Sequence, residues 1–122
     1  MNTPDNIVSL GEHQIFVFGS NAEGHHAGGA AKVAVERFGA VWGRGEGLQG
    51  DSYAIPTMEG IESLKLAVAR FLYFAASNPG LEFLVTKIGT GIAGYSVEDI
   101  APLFVDAAPN VILPAEFEAV FA

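Results

Sequence analysis

The chain has 122 residues, half of them apolar, which bounds it to one domain over residues 1–122 with a substantial core. Fourteen acidic residues face six basic ones, a net charge of −8, and Lys32, Arg37, Arg44, Lys65, Arg70 and Lys87 are scattered rather than clustered, which argues against a nucleic-acid partner. Cysteine is absent, excluding disulfides and thiolate chemistry; no apolar run nears the ~20 residues of a membrane helix, so no membrane partner and a soluble, cytoplasmic protein are expected.

Residues 1–12 are polar and irregular and read as a loose lead-in with at most a short strand. Gln14 to Phe18 is a β-branched and aromatic run, a predicted strand ending at Gly19. After a loop from Ser20 to Gly28, Ala30 to Phe38 reads as a helix with Gly39 as its C-terminal cap, and its Ala30, Ala31 and Ala34 allow close packing on a sheet. The glycine-rich stretch 39–50 is irregular or holds short strand pieces, and Ser52 to Pro56 is a short strand that the proline ends.

From Ile61 to Ala76 the apolar residues follow helical spacing, and Asn78-Pro79-Gly80 stops the helix. Glu82 to Ile88 is a buried strand. Ser96-Val97-Glu98-Asp99 has the form of a capping box opening a third helix, Asn110 to Pro114 is a last short strand, and the tail with Phe117 and Phe121 covers something apolar. Strands alternating with helices predict a three-layer α/β/α sandwich around a mixed, largely parallel sheet, with ligands at the carboxyl ends of the strands.

Two glycine-rich loops, each between a strand and a helix, are therefore expected at one edge. In the second, Gly89-Thr90-Gly91-Ile92-Ala93-Gly94 before Tyr95 and Ser96, the lack of Cβ atoms lets backbone amides converge on an anion such as a diphosphate. The same residues fit the dinucleotide fingerprint G-x-G-x-x-G, with Glu116 as nominal ribose partner. That reading is rejected because almost no chain follows for a doubly wound fold.

In the first loop, Gly24 to Gly29 has phosphate-loop spacing, but Ala30 and Ala31 stand where a nucleotide triphosphatase needs Lys and Ser or Thr. Gly19, Ser20, Asn21, Gly28 and Gly29 are the candidate ligand-binding residues here. The Asn21 amide either bonds a sugar hydroxyl or closes an Asx turn. His25 and His26 are adjacent, so they project apart and make a poor metal pair; no metal and no cofactor are expected, and the two read either as solvated loop histidines or with one, His26 the candidate, as an acid–base group in the cleft. Glu46 and Asp51 have no partner at fixed spacing and read as solvated.

The residues together resemble a compact, divergent macrodomain, the ADP-ribose-binding family. Asn21 with Gly28 and Gly29 is similar to that family's asparagine and Gly-Gly helix start. The stretch Gly47 to Pro56 is similar to its middle segment, and Ile88 to Gly94 to its second ligand loop; these span residues 14 to 113 in order. The resemblance implies a macrodomain-like fold and a small-molecule, ADP-ribose-like ligand. Gly89 to Gly94 would then cradle the diphosphate, and Asn21, Gly28 and Gly29 would surround the distal ribose, where ADP-ribosyl derivatives are hydrolysed.

The chain departs from the family in two places. Pro4-Asp5-Asn6-Ile7 supplies an aspartate but not the family's early Gly-Asp-Ile, whose aspartate reads the adenine amino group. Met58 and Ala93 fall near the places where one branch carries a lysine and an aspartate for ester hydrolysis. If a hydrolase, the simplest mechanism has Asn21 and the loop amides orient a water at the anomeric carbon. The competing expectation is a non-catalytic interaction protein, monomer or homodimer, using Trp42, Phe117 and Phe121 as a partner surface if they are exposed.

Overall fold

The computed structural model describes residues 2–121. Five strands form one mixed sheet in the order β2-β3-β1-β4-β5. They are β1 (Gln14–Ser20), β2 (Gly47–Gln49), β3 (Ser52–Pro56), β4 (Glu82–Val85) and β5 (Val111–Ile112). β1 runs parallel to β3 and β4, and β4 parallel to β5, while β2 hairpins antiparallel onto β3. The helices are α1 (Gly29–Arg37), α2 (Ile61–Ala76), α3 (Val97–Ile100), continued by a 3₁₀ turn over Ala101–Phe104, and α4 (Ala115–Glu118).

Alternation along β1 divides the core. Ile15 and Val17 join the larger cluster, with Leu64, Val68 and Phe71 of α2, Ile100, Phe104 and Phe117. Phe16 and Phe18 join a smaller cluster with Ala31 and Ala34 of α1 and Phe38. Successive strand residues point to opposite faces, so one strand serves both clusters. The alanines of α1 bring its axis close to the sheet, and two aromatic rings (Phe16 and Phe38, 4.8 Å between centroids) fill what remains.

The central helix spans Ile61–Ala76, as the periodicity predicts, and β3 has the expected bounds. The predicted strand over 82–88 is shorter. The Thr86 amide makes the last ladder bond, to the Val17 carbonyl (3.1 Å), which the Thr86 hydroxyl also reaches (2.8 Å), and the Ile88 amide then closes a tight turn on the Thr86 carbonyl (2.8 Å) that ends the strand. The predicted third helix is a single α turn that tightens to 3₁₀ at Pro102, although its Ser96–Asp99 capping box forms in both directions. Within the lead-in, Thr3 bridges to Pro114 beside β5. No helix among the described residues is long and apolar enough to cross a membrane.

Candidate ligand cleft

Three contiguous cavities run along the carboxyl ends of the parallel strands. The first, about 240 Å³, lies between the lead-in (Asp5, Asn6, Ile7), Phe16, Val33 and Lys87. The second, about 180 Å³, has the start of α1 (Gly28 to Ala31) on one side and Gly89, Gly91, Ile92 and Ala93 on the other. The third, about 400 Å³, is lined by Ser20, Asn21, His25, Thr57 and Met58. Ala30, Thr86 and Lys87 border both the first and the second; Gly19, Gly28, Gly29, Ala31, Thr57 and Ile92 border both the second and the third. Ligand clefts commonly occupy this edge of a parallel sheet.

The glycines of the two loops are there for different reasons. Gly89 has φ 75°, and a Cβ on it would come within 3.1 Å of the Ile100 side chain, so conformation and packing both demand glycine. At Gly24 and Gly45 the two backbone segments 21–24 and 43–45 touch, and a Cβ on either would strike main-chain atoms. Gly91 and Gly28 differ. Neither has a left-handed φ, and a Cβ on either meets nothing within 4 Å. Both face the second cavity, where the missing side chains leave room for a ligand to reach the backbone.

That backbone carries unspent donors. Among the described residues, the amides of Gly91, Ile92 and Ala93 donate to no carbonyl, while Gly94 and Tyr95 close the loop internally onto Gly91 (3.0 Å) and Gly89 (2.9 Å). Across the cavity, α1 begins at an extended Gly28 with no side-chain cap, leaving its first-turn amides without a capping acceptor. Two groups of N–H donors, one of them at a nine-residue helix start with its partial positive charge, therefore flank one small cavity.

Other residues expected at the site lie elsewhere or are engaged. Thr90, Gly94 and Tyr95 line none of the three cavities; the Thr90 hydroxyl caps the Lys87 carbonyl at 2.7 Å. Asn21 borders the third cavity, but its amide donates to the His25 carbonyl (3.1 Å) and its oxygen accepts from the His25 amide (2.9 Å). It is thus the staple of its own loop. His26 lines none of the three cavities. It is 2% exposed and edge-on to Phe18 at 5.2 Å, with Nε2 3.0 Å from the Arg44 carbonyl. The sequence expectation of an acid–base group at His26 is corrected by this burial: a ring 2% exposed and held against Phe18 and the Arg44 carbonyl cannot reach a ligand in the cleft. His25, one residue earlier, does border the third cavity and stacks on Trp42 at 5.4 Å.

Glu46 pairs with Arg70 in a two-pronged contact (2.5 and 2.8 Å), and Asp51 stands at the amino end of β3, away from the cleft. Glu116 forms an ion pair with Lys87 at 3.0 Å. The hydrogen bond between them, foremost, raises the Lys87 ammonium and lowers the Glu116 carboxyl from their ordinary pKa values. Of the aromatic residues considered as a partner surface, Trp42 and Phe121 are exposed, whereas Phe117 is fully buried in the larger cluster and is not available for one.

Sequence reasoning missed Thr57, Thr86 and Lys87, and named Met58 only through the family resemblance. All four lie within two residues of a strand's carboxyl end, so the rule that ligands gather at strand carboxyl ends was the signal that could have found them. No group of acidic or histidine residues among those described could hold a metal ion. No protein-family model, curated protein or solved structure matches the chain significantly.

Proposed function

We propose that the chain is a macrodomain-like α/β/α module that binds ADP-ribose or a related nucleotide-diphosphate sugar. The observation that carries the reading is the second cavity. It has free amides on two sides, and it has two glycines, Gly28 and Gly91, that neither strain nor packing requires. A diphosphate fits such a place because each oxygen can accept charge-assisted bonds from fixed N–H groups.

The flanking cavities support the same ligand. The first has apolar walls in Ile7, Phe16 and Val33 with Asp5 in its lining, features suited to a base with an exocyclic amino group. The third offers space for a distal sugar. The two core clusters served by alternate residues of β1 support the three-layer arrangement. At a net charge of −8, a small ligand held by backbone amides suits the chain better than a nucleic-acid polymer.

The reading is one of binding. Asn21 is consumed within its loop, His26 is buried, and Met58 and Ala93 put no charge where an ester hydrolase of this kind has its lysine and aspartate. Titration calorimetry with ADP-ribose tests it. Saturable one-to-one binding is expected; absence of both heat and thermal stabilisation at millimolar ligand would overturn it.

A further inference from the structure

Lys87 is the one lysine or arginine among the described residues bordering the three cavities, and it stands where the first meets the second. Its main chain is pinned. The Lys87 carbonyl accepts from the hydroxyl and the amide of Thr90, at 2.7 and 3.4 Å, and the preceding Thr86 is bonded twice to Val17. The ammonium is held differently. Its contact is the Glu116 carboxylate, 3.0 Å away, in a pair whose side chains are 45% and 44% exposed. Exposed pairs of this kind hold weakly. The residue therefore has a fixed root and a tip that can exchange one anion for another.

Position decides which anion. With a base in the first cavity and the diphosphate against the amides of the second, the sugar joining them passes beside Lys87. That part of the cleft otherwise offers the Asp5 carboxylate, in a chain carrying a net charge of −8. A further phosphate on this sugar would meet repulsion unless a cation were supplied there. We infer that Lys87, released from Glu116, recognises a phosphate on the base-side ribose and makes the site selective for nucleotide-diphosphate sugars so substituted. The inference rests on the nucleotide reading above and adds the substrate class.

Calorimetry with ADP-ribose and its 2′-phosphate, on wild type, Lys87→Met and Glu116→Gln, tests it. The wild type should prefer the 2′-phosphate by about tenfold, the scale of one added charge-assisted contact. Lys87→Met should erase the preference while ADP-ribose affinity stays within about twofold. Glu116→Gln, which frees the ammonium, should widen it. An equal wild-type affinity for the two ligands, or a preference that survives in Lys87→Met, overturns the inference and leaves the nucleotide reading standing. Equal weakening of both ligands in Lys87→Met also overturns it, by assigning the lysine to the diphosphate. If neither ligand binds the folded wild type, the nucleotide reading itself fails, and the inference with it.

Discussion

The amide nitrogen of Gly89 lies 3.6 Å from where a Cβ on Gly19 would sit, so the ends of two parallel neighbouring strands meet with no side chain between them. This contact brings two loops about seventy residues apart in sequence to a common cavity. The remaining wall is Thr57, whose methyl would be 3.4 Å from the same Cβ. Gly19→Ala makes only ordinary contacts and should fold normally. Gly19→Val, which projects a branched side chain into the junction, should weaken ADP-ribose binding by tenfold or more, read by calorimetry.

Gly91→Glu separates ligand space from fold. Nothing stands within 4 Å of a Cβ there, so the melting temperature should stay within a few degrees of wild type. The added carboxylate would occupy the anion's place, and nucleotide binding should disappear. Undiminished affinity in this variant would show that the loop does not hold the phosphates.

Gly89→Ala should behave in the opposite way. The left-handed φ of 75° and the Ile100 contact at 3.1 Å predict a loss of about 1 to 3 kcal/mol, measurable by urea unfolding. A stability equal to wild type would contradict the strained turn described here.

His26→Ala distinguishes a core histidine from a catalytic one. Loss of the buried ring beside Phe18 and of its bond to the Arg44 carbonyl should cost about 2 to 4 kcal/mol. A variant of unchanged stability would contradict the packing role assigned to this ring.

Tyr53 sets an alkaline limit. Burial, foremost, and the nearby Glu46 carboxylate raise its hydroxyl above the ordinary 10.0, against the opposing pull of Arg70. The unfolded chain therefore releases this proton first. Its contribution is whole below pH 10.0 and declines as pH rises through the higher folded value. Unfolding followed from pH 9 to 11 should show a steeper loss for wild type than for Tyr53→Phe; parallel curves would contradict the assignment.

Much of the architecture could be read from the chain because local signals agreed with one another. Apolar spacing and Asn78-Pro79-Gly80 bounded α2, and the reciprocal Ser96–Asp99 bonds formed as their spacing implied. What escaped were features fixed by distant partners. The Thr86 hydroxyl locks onto a carbonyl of β1 where β4 ends, and the lead-in wraps past Pro114 to bring Asp5 to the cleft, and neither is written in its own neighbourhood. The same limit applies to His25 and His26. Adjacent residues necessarily diverge, but which one faced inward depended on Phe18 and Arg44.

The most direct test follows the backbone amides themselves by ¹⁵N–¹H correlation spectra of the full chain during titration with ADP-ribose. The largest saturable shifts should fall on Gly91, Ile92 and Ala93 and on Gly29 to Ala31, on both sides of the second cavity. Shifts confined to other surfaces, or none at saturating ligand, would contradict a cleft that grips its anion through main-chain hydrogens.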